Sequence, residues 1–316
     1  MNHNVINIIP LSMQISKEYG AISFDKRIEL ICSKINLNNG DLILNATGEG
    51  LLAINLLHGI LKILNPNKSS TSIILSVDAM DQFPDYNCTV SHTGTVCNWG
   101  NYFYELQSKN IDWSNIEIDY HILALARRPT VSRAYYIKDV IDIYDENCLV
   151  SFGFGDIISR EIKEILKPHS LPIVIDGHKT HEVPNDKIFK SLFNLVLETN
   201  EPDFQEIRLT EKSYKPYAWH QIPIFVSSNG HVDILRKLGF DMFDDLLNNH
   251  SYTSNLPHLY QIKVRLLLEN LLKQYPTVDS IRKLRKDLWP RIVYNHNLLN
   301  NMIIETELKG IGYRND

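Results

Sequence analysis

Residues 121–133 read HILALARRPTVSR and join an aliphatic run directly to a predicted helix. The first five residues, HILAL, are typical of a short strand that is buried in a parallel sheet. Pro129 fixes the loop that follows, and Arg133 lies one turn into the helix. Because a strand followed by a helix is half of a βαβ unit, this stretch predicts an α/β fold with a mostly parallel sheet.

Strands and helices alternate along most of the chain in the same way. Further strands are predicted at residues 41–45, 72–77, 171–175, 193–197 and 222–226. Helical spacing occurs in residues 50–64, with Leu52, Leu56, Ile60 and Ile63 on one face, and in residues 232–238, with Ile234, Leu235 and Leu238 on one face. From Gln261 onward no strand is predicted, and two or three helices extend to the end.

The length of 316 residues suggests about two domains of roughly 150 residues each. The polar segment DWSNIEID at residues 112–119 predicts a boundary before the opening stretch. The expected organisation is therefore an amino-terminal domain over residues 1–118, a second domain over 119–260 and helices over 261–316. Packing of these helices against the amino-terminal domain is left open.

The composition excludes several classes of protein. The 32 Lys and Arg against 37 Asp and Glu give a net charge of −5, so the chain does not coat nucleic acid or an anionic membrane through its overall charge. The four cysteines form no CxxC pair, which favours buried free thiols in a reducing compartment. No secretory signal and no apolar run of about 20 residues is visible, so we expect a cytoplasmic protein without a membrane span.

A first candidate site lies in the loop NATGEG, residues 45–50, between a predicted strand and a helix. Ligands of open α/β sheets gather at the carboxyl ends of strands, where glycine permits close approach. Glu49 could act there as a general base or bind a substrate hydroxyl. Alternatively, Gly48 and Gly50 are turn residues and Glu49 only complements the helix dipole. Neither of the phosphate-binding patterns GxGxxG and GxxxxGK[ST] is present.

A second candidate site consists of Arg127 and Arg128, which follow the strand of the opening stretch. Guanidinium groups bind phosphate oxygens through paired hydrogen bonds, so two arginines at this position favour a clamp for a diphosphate. The alternative is a solvated loop with surface arginines. The position after a buried strand favours the ligand role, and the sequence does not separate the two arginines.

A third candidate site is formed by two segments. A predicted strand ends in Glu198 and Thr199, and a predicted helix begins with Thr210, Glu211 and Lys212. A carboxylate and an ammonium group near a helix amino terminus suit a nucleotide sugar, because they can bind its hydroxyl groups and its phosphates. The same residues are also typical of an ordinary helix start, with Thr210 as the cap and Glu211 in the first turn.

The segment 193–243 contains LVLET, LTEKSYKP, QIPIFV and LRKLGFDMFDD in this order, and ALARRPTVSR precedes it. These motifs resemble the nucleotide-sugar-binding half of a group of glycosyltransferases and glycosyltransferase-like proteins of phages and other viruses. The TEK segment is similar, more distantly, to that of α-1,3-fucosyltransferases. The resemblance covers roughly the middle third of the chain. It implies a GT-B architecture, in which two Rossmann-like domains face a cleft and the carboxyl-terminal domain holds the donor.

The resemblance also implies roles for individual residues. The donor-binding residues would be Arg127, Arg128, Glu198, Thr210, Glu211 and Lys212. In this scheme the arginines meet the diphosphate, and Glu211 and Lys212 meet the ribose, the sugar and the phosphates. The catalytic base would come from the amino-terminal domain, where Glu49 is the best-placed carboxylate, although Asp78 and Asp81 also follow a strand.

The implied reaction moves a sugar from a nucleotide-sugar donor to a hydroxyl group of a glycan or another acceptor. GT-B enzymes generally use no bound metal ion, so we expect no cofactor besides the nucleotide sugar as co-substrate. The likeness to fucosyltransferases implies an inverting displacement. A viral protein of this kind would act in the cytoplasm of its host.

Two other functions stay open. An enzyme of this kind could glycosylate hydroxymethylated DNA bases, with the helix face of Arg282, Arg285 and Lys286 along the phosphate backbone. The acidic net charge counts against DNA, and the alternative for this face is a solvated helix surface. The chain could also be a non-catalytic module that binds a nucleotide or a glycan.

Two further patterns carry weaker hypotheses. The histidines of GHKTH at residues 177–181 are interpreted as part of a surface loop, because no further His or Cys cluster accompanies them. The aromatic stretch at residues 91–105 is interpreted either as an acceptor pocket or as a packed loop.

Overall fold

A computed structural model gives the fold of the chain. It describes residues 4–19, 22–35, 42–45, 50–64, 73–76, 89–91, 106, 109–153, 158–167, 169, 186–198, 209–247 and 257–308. The chain divides into two compact units. The first unit contains residues 1–101, 208–211 and 300–316, and the second contains residues 102–207 and 212–299.

The first unit contains a four-stranded parallel sheet in the order β1-β2-β3-β4. Its strands are β1 (Asn4–Asn7), β2 (Leu42–Asn45), β3 (Ile73–Ser76) and β4 (Thr89–Ser91). Its helices are α1 (Ile8–Tyr19), α2 (Phe24–Ser33) and α3 (Gly50–Leu64). Gly59 allows α2 and α3 to approach closely, because a Cβ atom there would lie 2.2 Å from Cδ1 of Ile28.

The second unit contains another four-stranded parallel sheet, in the order β6-β5-β7-β8. Its strands are β5 (Tyr120–Ala126), β6 (Cys148–Phe152), β7 (Ser191–Leu197) and β8 (Ile222–Val226). The helices that follow these strands are α4 (Val131–Tyr144), α5 (Arg160–Ile165), α6 (Glu211–Ala218), α7 (His231–Lys237) and α8 (Asp244–Leu247). Two longer helices complete the described chain, α9 (Pro257–Gln274) and α10 (Val278–Leu308). Residue 211 of α6 and residues 300–308 of α10 are part of the first unit.

The order of the second sheet creates a switch point between β5 and β7. The chain leaves β5 through α4 toward β6 at one edge, and it leaves β7 through α6 toward β8 at the other edge. Since βαβ connections are almost always right-handed, α4 and α6 are expected on opposite faces of the sheet. Open α/β sheets bind ligands outside the carboxyl ends of the two strands that flank such a point.

The core of the second unit explains why its strands are nearly continuous apolar runs. All seven residues of β7 and all five of β8 are buried. Asn194 is a polar exception within β7, and its amide nitrogen donates to Oε1 of Gln221 at 2.7 Å. The amide nitrogen of Gln221 in turn donates to Oγ of Ser191 and to the carbonyl oxygen of Ile188, both at 2.7 Å. Burial of this polar cluster is therefore compensated by hydrogen bonds.

The structure confirms the α/β fold with parallel sheets. Five predicted strands correspond to β2, β3, β5, β7 and β8, whereas the strand predicted at residues 171–175 lies outside the described residues. β1, β4 and β6 were not predicted from the sequence. The face predicted for α3 is partly wrong, because Ile63 is 50% exposed while Leu57 and Leu61 are buried beside Leu56 and Ile60. The predicted domain boundaries and the GT-B arrangement stay predictions.

A buried carboxylate joins α4 to α9. Oδ1 of Asp139 accepts a hydrogen bond from Nη1 of Arg265 at 2.7 Å, and Oδ2 accepts one from the amide nitrogen of Gln261 at 3.0 Å. The Asp139 side chain is 6% exposed, whereas that of Arg265 is 43% exposed. In an ion pair with one buried partner, the buried carboxylate depends strongly on the exposed cation, because water cannot replace the hydrogen bond that the carboxylate would lose.

We predict that Arg265→Ala lowers the free energy of unfolding by about 2 kcal/mol, because it leaves the buried Asp139 carboxylate without its cation. Glu269→Ala is the matched control. Glu269 also pairs with Arg265, at 2.9 Å, but it is exposed, so its loss should change stability by less than about 0.5 kcal/mol. Urea unfolding followed by tryptophan fluorescence measures both, and equal effects would contradict the prediction.

Candidate functional site

The carboxyl ends of β5 and β7 carry the charged residues that flank the switch point. Arg127 and Arg128 directly follow β5, and both are exposed. Glu198 directly follows β7, and its backbone nitrogen still donates to the carbonyl oxygen of Val226 at 3.0 Å. The structure therefore brings both predicted arginines and the predicted glutamate to the edge where ligands of such sheets bind.

A third arginine ties the two strand ends together. Nη2 of Arg133 donates to the carbonyl oxygen of Glu198 at 2.8 Å, and Nη1 donates to the carbonyl oxygen of Arg128 at 3.3 Å. Arg133 is 7% exposed, so the position one turn into the helix buries it instead of adding it to the exposed pair. Thr130 caps the same helix, since its hydroxyl oxygen accepts from the backbone nitrogen of Arg133 at 3.2 Å.

Gly153, the residue that directly follows β6, lies beside the end of β5. Its backbone nitrogen donates to the carbonyl oxygen of Ala126 at 3.0 Å, directly before the arginine pair. Its φ of +75° lies in the left-handed region that favours glycine. A Cβ atom there would also lie 3.0 Å from Cδ1 of Ile158. A side chain at this position would therefore disturb the contact between Gly153 and the end of β5.

The first turn of α6 lies beside the end of β7. The hydroxyl group of Ser213 donates to Oε1 of Glu198 at 2.6 Å. Glu211 is the first residue of the helix, Thr210 directly precedes it, and both are half-buried, as is Lys212. This arrangement fits the ordinary helix start of the sequence analysis as well as the donor site, so the roles of Thr210, Glu211 and Lys212 stay predictions.

His231 extends this contact, and the sequence analysis missed it. Its Nε2 atom lies 3.3 Å from Oγ of Ser213. Glu198, Ser213 and His231 are 2%, 0% and 1% exposed. Burial holds the pKa of His231 below its ordinary value, although the charge of Glu198 acts in the opposite direction. The signals available in the sequence were Ser213, three residues past the expected cap Thr210, and His231, directly before the helix predicted at residues 232–238.

A second cluster, which was not predicted from the sequence, forms around the buried ring of His220 before β8. Its ring stacks on Trp113, Trp289 and His296, with ring centroids 4.6, 5.3 and 4.0 Å away. Burial, and secondarily the nearby charges of His296 and Arg285, lowers the pKa of His220 to about 2. Burial also lowers the pKa of His296. These imidazoles are neutral near pH 7 and serve as aromatic packing groups.

The basic run on α10 fits the solvated-surface hypothesis only in part, since Lys286 is exposed and Arg282 is half-buried, whereas Arg285 is buried. Arg285 is 7% exposed, and its guanidinium group donates to the carbonyl oxygens of Trp113 and Ile116. Arg282 donates to the carbonyl oxygen of Ile118 at 2.8 Å and pairs with Glu117. Two of the three side chains expected to meet solvent or DNA phosphates thus bind the segment before β5.

Several predicted site residues lie outside the described part of the chain. These are the predicted base Glu49, the alternatives Asp78 and Asp81, Thr199, and the segments 92–105 and 177–181. Within the described ranges no group of three or more His, Cys, Asp or Glu residues could hold a metal ion. The described helices include none that is long and apolar enough to cross a membrane.

Comparison with models of protein families, with curated proteins and with solved structures gives no match for this chain. The resemblance to viral glycosyltransferases is therefore a hypothesis that rests on the motifs themselves. What the structure adds is the placement of Arg127, Arg128 and Glu198 at one edge of the second sheet.

We predict that acid destabilises the protein partly through His220. The unfolded chain binds a proton at this group below its ordinary pKa of 6.5 whereas the folded chain does not, so stability falls as the pH drops below about 6.5. His220 alone should remove about 1 kcal/mol between pH 7 and 5.5. His220→Phe should reduce this pH dependence by that amount in urea unfolding at the two pH values.

The control for the pH dependence is His258→Gln, because the side chain of His258 is exposed on α9. This variant should keep the pH dependence of the natural chain. An unchanged pH dependence in His220→Phe would contradict the prediction, whatever the absolute stability of that variant.

We predict that Arg133→Ala lowers the free energy of unfolding by about 3 kcal/mol, because two backbone carbonyl groups lose a charged donor. Arg133→Lys should recover only part of this, since an ammonium group lacks the planar fork that reaches both oxygens. Arg160→Ala, at an exposed position on α5, is the control and should have an effect within about 0.5 kcal/mol. Urea unfolding measures these changes. A loss of unfolding free energy in Arg133→Ala as small as that of the control would refute the role of Arg133 in joining the ends of β5 and β7.

Proposed function

We propose that the protein is a nucleotide-sugar-dependent glycosyltransferase whose second unit binds the donor. The observation that carries the proposal is the exposed pair Arg127 and Arg128 at the switch point between β5 and β7. Ligands of open α/β sheets bind at this place, and two adjacent guanidinium groups match the oxygens of a diphosphate. The resemblance of the surrounding motifs to viral glycosyltransferases points to the same ligand.

The expected chemistry follows from the charge of the leaving group. Transfer of a sugar leaves a nucleoside diphosphate, on which negative charge develops in the transition state. Arg127, Arg128 and Lys212 would stabilise this charge from the protein side. The amino terminus of α4, capped by Thr130, would add the favourable end of a helix dipole. Thr210 and Glu211 would bind hydroxyl groups of the donor.

The remaining parts of the proposal concern the acceptor. A carboxylate of the first unit, for which Glu49 is the candidate, would deprotonate a hydroxyl group of a glycan or another acceptor. We propose a GT-B architecture with two Rossmann-like domains, an inverting displacement and no requirement for a metal ion, all on the strength of the resemblance. The fold supports the coarser part of this proposal, since both units contain a parallel sheet.

The alternative functions gain less support. A DNA-modifying glycosyltransferase would need exposed cations along a backbone, and the hydrogen bonds of Arg282 and Arg285 to their own chain count against α10 in that role. A non-catalytic module that binds nucleotides or glycans would use the same donor site. It differs from an enzyme in one measurable respect, because it releases no free sugar from a nucleotide sugar.

We predict that the natural chain is stabilised in a thermal-shift screen by at least one of UDP-, GDP-, CMP- and dTDP-sugars. A ligand at 100 times its dissociation constant adds roughly 2.7 kcal/mol. The double variant Arg127→Ala/Arg128→Ala and the single variant Lys212→Ala should each weaken that binding at least about tenfold, because charged hydrogen bonds to phosphate are lost. Calorimetric titration of the selected donor measures the change.

The control for donor binding is Lys237→Ala, which removes an exposed cation at the end of α7. It should leave donor affinity unchanged. Unchanged affinity in both site variants would overturn the donor site. Release of free sugar in the absence of an acceptor separates an enzyme from a binding module.

A further inference from the structure

Three buried side chains form a hydrogen-bonded chain at the carboxyl end of the second sheet. Glu198 directly follows β7, Ser213 lies in the first turn of α6, and His231 is the first residue of α7. The Ser213 oxygen stands in the middle, 2.6 Å from Oε1 of Glu198 and 3.3 Å from Nε2 of His231. These contacts join one strand end to the beginnings of two helices.

The hydrogen bonds among these three side chains all point in one direction, from His231 through Ser213 to Glu198. Ser213 has a single hydroxyl proton, which it donates to the carboxylate of Glu198. The contact between Ser213 and His231 therefore needs a proton on Nε2 of the imidazole, which donates to the serine oxygen. Since burial keeps His231 neutral, Nδ1 carries no proton. Nδ1 is buried and has no hydrogen-bond partner among the described residues.

This order differs from that of a catalytic serine triad. In a triad the histidine stands between the serine and the carboxylate and removes the serine proton. Here the serine stands between the other two groups, and its proton is directed to the carboxylate. All three side chains are buried, so these three residues present no nucleophile to a substrate. Its effect is to fix backbone elements relative to one another.

We propose that Glu198 and His231 act through Ser213 as positioning residues that hold the first turn of α6, and with it Lys212, at the carboxyl end of the second sheet. Glu198 then has no direct contact with a donor, in contrast to the role that the resemblance implies for it. The consequence for ligand affinity rests on the proposed function, in which Lys212 meets the phosphates. Lys212 directly precedes Ser213 in α6, so the orientation of its backbone depends on the hydrogen bond that Ser213 makes.

A double-mutant cycle tests whether Glu198 acts through Ser213. The variants are Glu198→Gln, Ser213→Ala and the double variant, and the probes are UDP, GDP and inorganic pyrophosphate. Each single variant should weaken binding about tenfold, and the double variant should bind no more weakly than the single ones, because both changes break the same connection. Additive losses, or unchanged affinity in both single variants, would overturn the proposal.

A second measurement needs no ligand and separates this proposal from the proposed function. The acylation rate of Lys212 by an amine-reactive ester, followed by mass spectrometry of its peptide, should change about threefold and to the same extent in all three variants. The rate of Lys237 should not change. Should the natural chain bind neither these probes nor any nucleotide sugar of the thermal-shift screen, the proposed function falls, and the rate of Lys212 alone decides the positioning role. An unchanged rate would overturn it.

The imidazole of His231 provides a spectroscopic signature. Nitrogen-15 chemical shifts in the natural chain should show a proton on Nε2 and none on Nδ1, and Ser213→Ala should shift the Nε2 resonance. A proton on Nδ1 in the natural chain would overturn the direction of the chain of hydrogen bonds. Far-ultraviolet circular dichroism checks that each variant keeps its secondary structure.

Discussion

The carboxyl edge of the second sheet depends on the guanidinium group of Arg133. Carbonyl groups at strand ends lose their ladder partners and must find other donors when they are buried. One guanidinium group donates to the carbonyl oxygens of both Arg128 and Glu198, and so it closes the ends of two central strands. The loop of Arg127 and Arg128 is thereby fixed at the switch point while the side chains of both residues are exposed.

Two sets of arginines in the second unit have opposite surroundings. Arg133 and Arg285 are buried and donate to backbone carbonyl groups, and Arg282 also donates to one. These hydrogen bonds tie the ends of β5 and β7 to α4, and they tie the segment before β5 to α10. Arg127 and Arg128 are exposed. A net charge of −5 therefore says little about an anion site, because some of the charged residues, such as Arg133, Asp139 and Arg285, are buried. Local exposure determines which cations can meet a ligand.

The sequence was sufficient where local patterns determine the structure. Buried parallel strands are continuous apolar runs, so five strands, the starts of α3 and α6 and the arginine loop after β5 could be predicted. β6 was missed because CLVSF contains two polar or weakly apolar residues in five. The partners of Glu198 and of Arg285 lie 15 and 172 positions away, as Ser213 and Trp113, and no local pattern specifies contacts at such distances. The burial of Glu198 and Arg285 could therefore be recognised only from the folded structure.

The position of a charged residue relative to the strand ladder explains why neighbouring candidates differ in exposure. The backbone of Glu198 still pairs with Val226, so its side chain emerges where the first turns of α6 and α7 cover the sheet. Arg127 and Arg128 follow the last paired residue of β5, Ala126, and both are exposed. A residue such as Glu198, whose backbone is still hydrogen-bonded to the next strand, thus supports the edge of the sheet. Residues such as Arg127 and Arg128, which lie beyond the last paired residue, are the ones that can reach a ligand. A carboxylate at the end of a central strand is then more suited to holding a helix than to binding a sugar.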